Sequence, residues 1–214
     1  MFVAGFTRRP AEAGIQGMEI DLASAFAAVS GDASGLGEVI AAALKANGAE
    51  VAPIAAGDEA SLAQAVASRG RLDILVNILL DGGAGPEAVE RHCRAAAAAM
   101  GAGGRIVNVA SAFGLVAVRG ESGASAGAAA IFSLTRTLAL EFGERGIRVN
   151  AVAAGASGAA REERLLSHVP LQRSGTPAEI AAAVLFLVDP DNSYTSGHVL
   201  AVDGGWTAGY ARDF

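Results

Sequence analysis

Short, nearly continuous apolar runs alternating with longer amphipathic stretches constrain this chain more than any other feature. LDILVN (Leu72 to Asn77), RIVNVAS (Arg105 to Ser111) and RVNAVAAG (Arg148 to Gly155) read as strands buried on both faces. ASAFAAV, starting at Ala23, VAPI (Val51 to Ile54) and HVLAVDGG add further strands. Helical stretches lie between them. GEVIAAALKANG stops at Gly48, and GDEASLAQAVASRG is opened by Asp58 or Ser61 and closed by Gly70. A helix from Pro86 to Met100 carries Pro in its first turn, and another covers Ala126 to Gly143. TPAEIAAAVLFLVD begins with a capping box, Thr176 to Glu179. Strands alternating with helices of this length predict an α/β fold: one doubly wound parallel sheet with helices on both faces. That domain is expected over residues 21–214, after an N-terminal arm of residues 1–20 interrupted by Arg8, Arg9 and Pro10.

Composition narrows the function classes. The net charge is −6, so the chain lacks the basic surplus that replaces phosphate counterions, and no nucleic-acid partner is expected. Hydrophobic residues reach 52%, but no apolar run approaches the ~20 residues that span a bilayer, so no membrane role is expected. The single cysteine, Cys93, forbids an internal disulfide or a multi-cysteine metal site. The first residues lack the basic start and apolar core of a secretory signal, which makes the cytoplasm the expected compartment.

The turn SGDASGLG spaces Gly31, Gly35 and Gly37 between a strand and a helix, where backbone can approach a pyrophosphate at the helix N-terminus. Behind it, in order, come LDILVN, GRIVNVAS, LTRTLALEFGERGIRVNAVAAG, LQRSGTPAEIAAAVLFLV and TSGHVLAVDGGW. Together these stretches resemble the short-chain dehydrogenase/reductase family over roughly residues 23–210, most closely after Gly104. The resemblance implies a Rossmann-type sheet and NAD(P)-dependent hydride transfer at a CH–OH group. It also exposes what this chain lacks.

Ser111 matches the family's catalytic serine. The family's tyrosine follows thirteen residues later and its lysine four after that, and here those positions hold Ala124 and Ala128. The chain has only two tyrosines, Tyr194 and Tyr210, and one lysine, Lys45, none near that stretch. Reducing a carbonyl requires a proton donor on its oxygen, and losing one typically costs ~10²–10⁴ in rate. The family's TGxxxGxG motif survives as a remnant, Gly31, Gly35, Leu36 and Gly37, with Asp32 adding negative charge beside the expected phosphates. Its NNAG reads Asn77-Ile78-Leu79-Leu80. The acidic residue that reads the ribose falls near Ala55, with Asp58 and Glu59 as possible substitutes that the spacing does not compel. Between Val51 and Leu72 there is room for one strand and one helix where the family fits two of each. The helix before GRIVNVAS is short as well and lacks the segment holding the family's proton-relay Asn.

These losses lead to the expectation of a non-catalytic subunit. It would bind no cofactor itself and would pair with an active paralogue carrying NAD or NADP, in a hetero-oligomer such as a heterotetramer. By analogy, that partner would act on an acyl-CoA-type hydroxy or keto substrate. One alternative is a repurposed dehydratase, isomerase or lyase using Ser111, Glu121 and Arg119, and another is a ligand-binding homo-oligomer. Adjacent helical residues point about 100° apart, so His92 and Cys93 form no dyad; a surface histidine and a buried thiol are expected. His168 and His198 are isolated, and no metal site is expected. Arg161, Glu162, Glu163 and Arg164 read as a solvated helix face.

Overall fold

A computed structural model describes residues 20–30, 35–80, 84–155 and 166–209. The strands are β1 (Phe26–Ser30), β2 (Glu50–Ile54), β3 (Ile74–Leu79), β4 (Arg105–Ser111), β5 (Arg148–Ala154) and β6 (Val199–Val202). Between them run α1 (Leu36–Ala46), α2 (Glu59–Arg69), α3 (Pro86–Ala99), α4 (Ser122–Gly143) and α5 (Pro177–Val188), with a 3₁₀ turn at Ala112–Gly114. All strand pairs are parallel, in the order β2-β1-β3-β4-β5-β6. This is the expected α/β sheet. The path from β2 to β3 holds one helix, so β2 is an edge strand.

Alternation along the strands builds two cores. Ala28, Leu75, Ile106 and Ala151 face α2, α3 and α4, packing with Leu62, Cys93, Phe132 and Leu138. Val29, Val76, Val107 and Val152 face α1 and α5, packing with Ile40, Leu44, Val184 and Leu187. Each such aliphatic side chain contributes about 1.5–3 kcal/mol by leaving water. The helices also set the handedness of the connections. The step from β1 to β2 runs one way with α1 on one face; the next three run the other way with α2, α3 and α4 on the opposite face. These four share one hand. The step to β6 continues in the second direction, yet α5 lies on the face of α1, reversing the usual hand.

Local chemistry fixes most boundaries. Asp58 caps α2 by accepting the Ala60 N–H, and Gly70 closes it in the left-handed region at φ 69°. Thr176 and Glu179 complete the capping box of α5. Two boundaries differ from the sequence expectation. β3 is displaced two residues towards the C-terminus, because its approach is used otherwise: the Leu72 N–H donates to Ala99 O, and the Asp73 carboxylate accepts the Phe26 N–H. Helix α4 starts at Ser122 rather than Ala126, directly after the turn at Gly120; its Gly-Ala-Ser opening reads as loop in isolation. The arm expected at residues 1–20 lies outside the described residues except for Ile20, which packs on the α1/α5 core.

Candidate functional site

In open parallel sheets a ligand sits beyond the carboxyl ends of the strands, where the strand order reverses. Here that point lies between β1 and β3. Gly35 stands at the N-cap of α1 with φ 80°, a conformation that favours glycine, and among the described residues no side chain caps the helix. The first-turn N–H groups, at Leu36 and Gly37, are therefore the part of the chain suited to a phosphate. Gly31 and Asp32 lie outside the described residues.

The rest of the crevice does not fit the dinucleotide that the family resemblance implies. Ala55, just past β2, has no carboxylate. Neither proposed substitute is available: Asp58 caps α2, and Glu59 accepts from Arg91 at 2.8 Å. The loop leaving β2 also closes onto the loop leaving β3. A Cβ on Gly57 would lie 2.8 Å from the Ala84 Cβ and 3.4 Å from that of Ala88. The Glu59–Arg91 pair holds α2 against α3 beside this seam. Among the described residues, Ala55 offers an adenosine half no carboxylate to read its ribose, and Gly57 stands against Ala84 between these loops.

Beneath the crevice runs a buried polar ladder. Asn77 donates to Asn108 Oδ1 at 2.9 Å, and Asn108 donates to Thr135 Oγ1 at 3.0 Å, linking β3, β4 and α4. His92 Nδ1 lies 3.4 Å from Asn77 Oδ1, and its Nε2 is buried without a partner among the described residues. The surface position expected for His92 is thus incorrect. It shares the inward stripe Val89, Cys93, Ala96 of α3, a helical spacing visible in the sequence. Cys93 is the buried thiol expected; burial pushes it up to about 12, so it is no nucleophile near neutral pH.

Ser111 ends β4, opposite Ala154 of β5, and its Oγ accepts the Phe113 N–H at 3.2 Å. The 3₁₀ turn that follows is seated on α4: a Cβ on Gly114 would lie 2.6 Å from the Ala128 carbonyl carbon and 2.7 Å from the Ala129 nitrogen. Ala128 is buried there, and Ala124 is exposed one turn earlier. Their methyl groups neither donate nor accept protons. Ser125 Oγ, between them in sequence, is buried without a partner among the described residues. Phe113 packs edge-to-face on Trp206, with centroids 5.5 Å apart.

Other candidates scatter. Arg119 is exposed in the loop before α4, and Glu121 is the half-buried residue at the N-cap of that helix. His168 and His198 are exposed in separate loops, Lys45 is exposed in the last turn of α1, and Tyr194 is exposed at the opposite end of the sheet from Ser111. The run Arg161 to Arg164 and Tyr210 lie outside the described residues. Among the described residues no helix is long and apolar enough to cross a membrane.

A parallel sheet with a glycine turn at its switch point and a serine at the end of β4 defines a Rossmann-type scaffold. The family model described as enoyl-(acyl carrier protein) reductase matches residues 87–207, and the chain belongs to the short-chain dehydrogenase/reductase family. It is 40% identical over 110 residues to the 3-oxoacyl-[acyl-carrier-protein] reductase FabG of Thermotoga maritima, covering 48% of this chain and 45% of that protein. Identity is 44% over 116 residues to the galactitol 2-dehydrogenase (L-tagatose-forming) of Cereibacter sphaeroides, covering 49% and 46%. The chain thus spans about half the length of the curated relatives it matches. Among solved structures, a dehydrogenase/reductase from Sinorhizobium meliloti superposes with a TM-score of 0.76 at 28% identity, over 88% of this chain and 97% of that one. A mutant short-chain dehydrogenase/reductase of Serratia marcescens gives 0.74 at 29%, over 87% and 99%.

Proposed function

We propose that this chain is a non-catalytic subunit of a hetero-oligomeric short-chain dehydrogenase/reductase, in which an active paralogue performs the NAD(P)-dependent hydride transfer. The reading is carried by the environment of Ser111. The turn after this serine is seated on α4 at Ala128, and on that helix Ala124 and Ala128 stand where the family's tyrosine and lysine are expected. With alanine at both of those positions, Ser111 has neither the tyrosine nor the lysine that would protonate an alkoxide. The closed seam at Gly57 and Ala84 supports the companion proposal that this chain binds no dinucleotide and that NAD or NADP belongs to the partner. Relatives named 3-oxoacyl-[acyl-carrier-protein] reductase and acetoacetyl-CoA reductase favour an acyl thioester keto or hydroxy substrate for that partner. The proposed assembly is a heterotetramer in the cytoplasm.

The test is calorimetric titration of the purified chain with NADH and NADPH, followed by assay with acetoacetyl-CoA. The expected result is neither binding heat nor turnover. Cofactor-dependent turnover by the chain alone would refute the proposal.

A further inference from the structure

At the opposite end of the sheet from Ser111, the entrances to β4 and β5 and the loop between α5 and β6 enclose an open cleft of about 920 Å³. Its wall carries Arg105 and Arg148, half-buried at the first residues of β4 and β5, with Arg145 beside them. Among the described residues the hydrogen bonds of all three go to main-chain carbonyls: Arg105 to Gly103 and Val188, Arg148 to Leu187, Thr195 and Asp189, Arg145 to Ala97 and Met100. Four exposed arginines elsewhere, Arg69, Arg91, Arg94 and Arg173, each pair with a carboxylate instead. Burial, reinforced by the nearby Arg105, lowers Arg148 to about 10, and the buried Asp189 offsets only part of this.

The rim of the cleft has the opposite character. Asp191 and Tyr194 stand on the α5–β6 loop, with Tyr194 fully exposed at 102%, and Glu144, at the end of α4, also lines the cleft. Leu140, next to Ala139 of the lining, is 81% exposed. A wholly exposed tyrosine beside a cleft floored by guanidinium groups is self-complementary, as a two-fold contact requires. We propose that this face joins two copies of the chain, the Asp191–Tyr194 rim of each entering the cleft of the other. Tyr194 of one copy then lies over Arg105 and Arg148 of its mate as a cation–π contact, and Asp191 meets Arg145. Two chains of net charge −6 repel at a distance, so a contact between them needs a locally mixed surface such as this one. The inference stands apart from the proposed function, since a homodimer and a heterotetramer holding two copies both accommodate it.

Sedimentation velocity of the full chain across the micromolar range tests it. The expected species is a dimer that added salt weakens, and Tyr194→Ser should raise its dissociation constant roughly tenfold or more. A monomeric chain, or an oligomer indifferent to Tyr194→Ser, overturns the proposal. A second measurement mixes separately tagged Tyr194→Cys and Glu144→Cys chains under mild oxidation; buried Cys93 contributes no background. A disulfide linking the two tags supports the contact, and its absence overturns it.

Discussion

From β4 onward the sheet runs through two seven-residue strands to β6, and the long α4, the capping box of α5 and the Phe113–Trp206 contact are all in place. On the other side of β3 the sheet stops after two five-residue strands, and α2 folds back at once against α3. The family match follows the same division, covering residues 87–207. One region keeps the surfaces on which the proposed assembly rests. The other, among its described residues, holds Ala55 where a ribose carboxylate is expected and closes Gly57 against Ala84. Such a difference is what a subunit retained for assembly would show, because packing surfaces and catalytic groups tolerate loss independently.

The largest expected effect concerns activity. Ala124→Tyr combined with Ala128→Lys restores the side chains the family resemblance implies, a change that in an intact site would be worth ~10²–10⁴ in rate. In this chain the double variant is expected to stay inactive in an NADH or NADPH oxidation assay, because the contact of Gly57 with Ala84, on which the proposed loss of dinucleotide binding rests, is unchanged. Measurable turnover would show that the two regions differ less than proposed.

Next comes stability. Gly114→Ala forces a methyl into the backbone of α4 and should cost about 2–3 kcal/mol in denaturant unfolding. Gly57→Ala, at φ 71° and pressed chiefly by the Ala84 methyl with that of Ala88 behind it, should cost about 1–2 kcal/mol. The reverse order would mean that the seam between α2 and α3 is packed more tightly than the turn after Ser111. Thr176→Ala removes one hydroxyl cap and should cost about 1 kcal/mol.

The smallest effect is one of pH. Arg173, with help from Thr176, holds Glu179 down to about 2 from its ordinary 4.5. A depressed carboxylate stabilises the fold above its unfolded value, and that contribution fades as pH falls from about 4.5 towards 2. The melting temperatures of the parent and Glu179→Gln chains should therefore differ at pH 7 and converge near pH 2.

Much of this was legible in the residues, for a common reason. β4 begins and ends as read, Thr176 and Glu179 cap α5, Gly70 ends α2, and the stretch from Val51 to Leu72 holds one strand and one helix. These are local signals. The contact of Gly57 with Ala84, the reversed crossing to β6 and the cleft beside Tyr194 all depend on residues tens of positions apart. No window of sequence contains them. The start of α4 differs from the sequence reading because Ser122, Gly123 and Ser125 carry weak helix propensity, and the turn of Ala112–Gly114 packing on that helix overrides it.

The most direct test of the subunit reading is native mass spectrometry of the tagged chain recovered from its own host. The expected result is a complex with equal copies of this chain and of a second, complete short-chain dehydrogenase/reductase that carries its own tyrosine and lysine. Recovery of this chain only with copies of itself would contradict it.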